Sequence, residues 1–122
     1  MPFMRVSLSR KLKEEEKQEL YGKLGRALAI IPGKEAFMLI ADIEDGKDIY
    51  CGGKKQENFC FIDARYFSRI EYHIKKAFAQ AVMAAVEEVA GTPKPCISMT
   101  ITEYSTWAGF GDLADEYYKE EG

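Results

Sequence analysis

The chain has 122 residues, 47% hydrophobic and 30% charged, which suits one compact domain and leaves little for a second. Its net charge is −3, from 17 basic and 20 acidic residues, and this argues against nucleic acid as the main partner. No apolar run reaches the roughly 20 residues of a membrane span, and polar residues follow Met1-Pro2-Phe3-Met4-Arg5 too soon for a secretory signal, so a cytoplasmic protein with no membrane partner is expected.

Residues 2–9 alternate as a strand. Helical period then takes over from Ser9 to about Ile30, with Leu12, Leu20, Leu24, Leu28 and Ile31 near one face and Glu14, Glu15 and Glu16 early, where negative charge suits the helix dipole. Ile31-Pro32-Gly33 ends that helix, and residues 36–43 read as a second strand. A polar, turn-rich connector follows, with a minor strand at Ile49-Tyr50-Cys51 before Gly52-Gly53. Residues 58–64 predict the third main strand, and about Ser68 to Ala90 a long helix whose buried stripe is Phe67, Ile70, Ile74, Phe78, Ala81, Ala85 and Val89. Gly91-Thr92-Pro93-Lys94-Pro95 breaks it, and residues 96–103 form the fourth strand. Beyond them, Asp115 to Glu121 reads as a solvated acidic terminus.

The class is therefore α+β: two β-α-β units forming a four-stranded mixed sheet, with both helices on one face. The whole chain, 1–122, is expected to be one domain, with halves at 1–50 and 51–104 and a C-terminal segment at 105–122. Phe37, Leu39, Phe59, Phe61, Ile97 and Met99 are the apolar candidates for the sheet's two faces; the second face needs a cover, and self-association supplies one. A ferredoxin-like monomer has the same helix and strand content.

Pro2 is the first candidate for chemistry. Chains that begin Met-Pro generally lose the Met, which leaves a free secondary amine. An α-amino group ordinarily titrates near ~8, and burial or a neighbouring cation lowers it toward a neutral base. Lys34, just after Gly33, is placed to hold a carboxylate and favour a developing enolate. Arg65, at the end of the third strand, can grip a carboxylate bidentately or simply pair with Asp63. Arg69 and Arg5 are weaker candidates. His73, the one histidine, reads as solvent-facing, and Cys51, Cys60 and Cys96 as small apolar residues without zinc-site spacing, so no metal or cofactor is expected. Trp107 and Phe110 either wall a site or pack between subunits.

Several of these pieces recur together in a known order: Met1-Pro2-Phe3-Met4 before a strand, Gly33-Lys34, Gly52-Gly53, the long helix, and Trp107-Ala108-Gly109-Phe110-Gly111-Asp112. Over about residues 2–113 the chain resembles the tautomerase superfamily, in its macrophage migration inhibitory factor and D-dopachrome tautomerase branch. The resemblance implies a homotrimer with active sites between subunits. It implies Pro2 as the proton shuttle in keto–enol tautomerisation of a small α-keto or unsaturated carboxylic acid, with Lys34 as the substrate-binding cation. It further implies a backbone contact from Arg65-Tyr66-Phe67 and polar contacts from Ser98 and Thr100, which stand where the vertebrate cytokine has a longer aromatic hydroxyl and an amide. Arg65 is similar to substrate-binding arginines of the decarboxylase and dehalogenase branches. Two other functions fit: a non-enzymatic signalling or binding protein, and hydration or dehalogenation at the same site. Some relatives are exported without a signal.

Overall fold

Alternation in the first strand sorts its side chains cleanly. In β1 (Phe3–Leu8) Met4, Val6 and Leu8 are buried, while Phe3, Arg5 and Ser7 face the other way. The computed structural model describes residues 1–114, so the acidic segment 115–121 and the end of the C-terminal segment lie outside the described residues.

Helix α1 (Glu14–Leu28) starts five residues later than the periodicity predicts. The Leu12 N–H is taken by Asp45 Oδ2 at 2.8 Å, and Lys13 is extended and donates its own N–H to Glu16 Oε1 at 2.9 Å. Leu12 is buried all the same, as part of the loop rather than the helix. Leu20, Leu24, Ala27 and Leu28 form the buried stripe of α1.

The run expected as a strand over 36–43 opens instead with a short 3-10 turn, Ala36–Met38, and β2 covers Ile40–Glu44. The parallel ladder to β1 begins at Phe3 opposite Ile40, and the Ile40 N–H donates to the Pro2 carbonyl at 2.9 Å. Pro2 has no N–H to carry the ladder further back. The two-residue strands β3 (Tyr50–Cys51) and β4 (Lys54–Lys55) form a hairpin on Gly52 and Gly53. Both glycines have positive φ (65° and 82°), the conformation that a tight hairpin turn demands.

Strand β5 (Cys60–Phe67) starts two residues later than expected and runs three further. Its pairing with β1 ends at Arg65 opposite Phe3, but β6 (Ile97–Tyr104) carries it on to Phe67 opposite Tyr104. Helix α2 (Tyr72–Ala90) consequently begins four residues late, after a turn in which Ser68 takes a left-handed φ of 80°. It stops at Gly91, also left-handed, whose N–H returns to the Glu87 carbonyl at 3.0 Å. A last hairpin joins β7 (Ala108–Gly109) to β8 (Asp112–Leu113) through Phe110 and Gly111.

The main sheet has the order β2-β1-β5-β6, parallel in each outer pair and antiparallel between β1 and β5. Both helices cover one face, and a single core joins Met4, Val6, Leu8, Ile62, Ala64 and Tyr66 to Leu20, Leu24, Phe78, Val82 and Val86. The anticipated α+β architecture is the one observed.

The apolar candidates divide between the two faces, with Phe61 40% exposed on the outward one. Leu39 is buried, Ile97 and Met99 pack against the core, and Phe37 lies in the 3-10 turn, 74% exposed. The outward residues are mostly charged or polar, with Asp42, Arg5 and Asp63 opposed in one cross-strand row and Thr100 beside them. Arg5 Nε pairs with Asp42 at 3.0 Å. Of the cysteines only Cys60 is buried, and burial pushes its thiol up to about 12. Cys51 is exposed because its hairpin stands off the sheet. Among the described residues no helix is long and apolar enough to cross a membrane.

Ile62 lies at the middle of β5, fully enclosed. Its truncation to Ala should lower the unfolding free energy by about 2–5 kcal/mol, read from the denaturant midpoint at constant m-value.

Candidate active site at the start of the first strand

Because β1 is an interior strand, the chain begins inside the sheet. Pro2 is buried, and Met1 is 39% exposed with its methyl against Gly109. The α-amino group of Met1 is held below its ordinary value by burial and then by the charge of Lys34.

Lys34 is delivered by a tight turn. Gly33 takes a φ of 80°, and the Lys34 N–H donates back to the Ile31 carbonyl at 3.1 Å. The ammonium donates to the Phe67 carbonyl at 3.2 Å and lies 5.4 Å from the centre of the Tyr66 ring, a cation–π contact. Burial lowers the pKa of Lys34. A cleft of about 350 Å³ opens here between Gly33 and Lys34 on one side and Phe67, Ser68, Arg69 and Ile70 on the other. Arg69 is exposed and has no ion-pair partner among the described residues, so the cleft presents two cations, with the exposed carboxylate of Glu71 also in its lining.

Beneath the cleft lies a polar cluster that the sequence reading missed. The Tyr66 hydroxyl donates to Glu103 Oε2 at 2.8 Å, the Ile70 N–H donates to the same oxygen at 3.0 Å, and Lys75 Nζ donates to Oε1 at 2.8 Å. Burial alone would raise the Glu103 carboxyl, but the bonds from Lys75, Ile70 and Tyr66 outweigh it and hold the pKa below the usual value. Burial, and then the bond to Glu103, pushes the Tyr66 phenol upward. A signal was available. Ile97, Met99, Ile101 and Glu103 share one parity of β6, so a carboxylate occupies an inward position.

The other candidate residues fall elsewhere. Arg65 points to the outward face, where it binds Asp63 through two nitrogens at 2.8 and 3.3 Å and lies 5.5 Å from the centre of the Phe3 ring. It lines a second cleft, of about 550 Å³, with Phe3, Arg5, Ile40, Tyr104 and Trp107. Within one chain the sheet therefore separates Arg65 from Lys34, and Arg69 takes the place beside Lys34. The Tyr66 side chain is 1% exposed and meets the cleft only through Lys34. Ser98 and Thr100, opposite Phe61 and Asp63, are exposed on the outward face of the edge strand. Trp107 packs edge-on against Tyr104 at 5.7 Å, and Phe110 is 87% exposed at its hairpin tip. His73 is exposed in the first turn of α2, beside Glu71. Among the described residues no group of three or more His, Cys, Asp or Glu could hold a metal.

No protein-family model and no curated protein matches this chain. Solved structures do match in fold. Macrophage migration inhibitory factor of Toxoplasma gondii is 21% identical over 91% of this chain and 98% of its own, with a TM-score of 0.81. Pt0534 inactivated by 2-oxo-3-pentynoate is 12% identical over 96% and 98%, with a TM-score of 0.84. The asymmetric trimer of F6 fused 4-OT is 18% identical over 94% and 98%, with a TM-score of 0.81. The fold is thus the one that the tautomerase resemblance implies.

The depressed pKa of Lys34 has a consequence for stability. Between its folded value and the ordinary 10.5 the unfolded chain holds the extra proton, so stability should rise with pH across that window. Lys34→Met should abolish this rise and be at least as stable as the wild type at pH 7, as measured by denaturant midpoints from pH 7 to 10.5.

Proposed function

We propose that the protein is a cofactor-independent tautomerase acting on a small 2-oxo acid, with the secondary amine of Pro2 as its base and acid. The observation that carries this reading is the burial of Pro2 at the head of β1, next to a Met1 α-amino group that burial and the charge of Lys34 hold below its ordinary value; a Pro2 amine freed by loss of Met1 would meet the same two influences. Loss of Met1, which lies against Gly109, opens the space in front of that amine.

The chemistry follows from the arrangement. Lys34, with Arg69 across the cleft, holds the substrate carboxylate. The same positive field favours the enolate oxygen as charge develops on it. The Pro2 nitrogen takes a proton from the enol hydroxyl or from the carbon next to the carbonyl. It returns that proton to the other atom, so the reaction is a net isomerisation and needs no redox partner. That a protein of this fold is inactivated by 2-oxo-3-pentynoate, itself a 2-oxo acid, supports the substrate class.

Three copies would complete the site. Ser98, Thr100 and Arg65 all face away from the Lys34 cleft of their own chain, so any contact they make with substrate is in a neighbour's site. The fused 4-OT of the same fold forms a trimer, which supports that assembly. In this reading residues 1–122 act as one unit.

In Met-free protein, Pro2→Ala should lower kcat/KM for phenylpyruvate enol–keto conversion at least ~100-fold. Wild-type turnover should fall as pH drops through the pKa of the Pro2 amine, and KM should climb on the alkaline side as Lys34 discharges below 10.5. A Pro2→Ala variant as active as wild type would overturn the reading. Light scattering should give three times the mass of the 13.8 kDa chain, and a monomer would remove the shared site.

A further inference from the structure

We propose that Glu103 is a positioning residue for carboxylate recognition, fixing the shape of the Lys34 cleft without touching the substrate. This rests on the reading of that cleft as the substrate site.

One carboxylate ties together three separate segments. It accepts from the Tyr66 hydroxyl at the end of β5, the Ile70 N–H in the following turn, and the Lys75 ammonium in the first turn of α2. The next residue of the same strand adds a fourth tie, since the Tyr104 carbonyl accepts the Ser68 N–H at 2.8 Å. The turn that supplies the Phe67 carbonyl and Arg69 to the cleft therefore hangs from two consecutive residues of β6. The floor of the cleft depends on the same bond. The Tyr66 hydroxyl is anchored by Glu103, its ring is set edge-on against Phe78 at 6.2 Å, and Lys34 lies over that ring.

Stability alone does not account for a carboxylate here. The three preceding inward positions of β6 are Ile97, Met99 and Ile101, and an apolar fourth residue would extend the core without removing a charge from water. A fully satisfied polar cluster instead sets one geometry, and supports of this kind govern how well a neighbouring site is placed.

The test uses the full-length Met-free protein, with 3-phenylpropionate as a carboxylate that does not turn over. Binding is read from the Lys34 backbone amide by NMR, and phenylpyruvate turnover is measured alongside. Glu103→Leu, of similar volume, removes the acceptor from all three donors. It should weaken 3-phenylpropionate binding about tenfold and raise KM in parallel, with kcat within about twofold. Lys75→Met removes only the outer partner and should leave affinity within about twofold, although it loses a half-buried ion pair. If Glu103→Leu fails to fold, Tyr66→Phe, which deletes the hydroxyl and keeps the ring, should give the same loss in affinity. Unchanged affinity in Glu103→Leu or in its Tyr66→Phe substitute overturns the inference, as does a loss in Lys75→Met that matches its loss of stability. Absence of binding and turnover in the wild type is a different result: it defeats the substrate-site reading, and this inference with it.

Discussion

The structure depends on one placement: the first strand of the chain is an interior strand of the sheet. With β2 on one side and β5 on the other, β1 has no exposed edge, and its N-terminal end is buried by its neighbours. The Met1 α-amino group just ahead of it is poorly solvated, and Lys34 adds a second unfavourable charge. Proline suits such a start, because the ladder needs its carbonyl, which accepts the Ile40 N–H, but not the N–H that it lacks.

The two-residue period of the strands then divides the chemistry between two faces. Inward parity gathers Tyr66 and Glu103 under Lys34, next to the helix side of the sheet. Outward parity sends Arg5, Asp63 and Arg65, with Ser98 and Thr100, to the opposite face. The two clefts are close in sequence but not in space. Arg65 and Tyr66 are adjacent in the chain, yet one is ion-paired on the surface and the other is enclosed in the core. A shift of one residue in the register of β5 would exchange their environments.

The alternation of apolar residues made β1, the later strands and both helices legible, because it records which face each residue buries. Element ends were less so. They were decided by single long-range hydrogen bonds that no periodicity encodes: Asp45 to the Leu12 N–H delayed α1, and Glu103 to the Ile70 N–H went with the late start of α2. At the candidate site Pro2 and Lys34 were legible from their neighbours in the chain, Met1 and Gly33. The pairing of Lys34 with Arg65 was not, since it required knowing that the strand runs on to Phe67 and puts Arg65 outside. Phe37 was misjudged for a related reason: it was read as part of the second strand, where the chain forms a 3-10 turn.

The charged outward face also bears on how the chain is made. Asp42, Arg5, Asp63 and Arg65 neutralise one another within a single chain, so this surface is at ease in water before any second copy arrives. A nascent chain can complete its core on the ribosome without presenting a broad sticky patch to its neighbours in the polysome. Association of copies would then follow folding and depend on concentration.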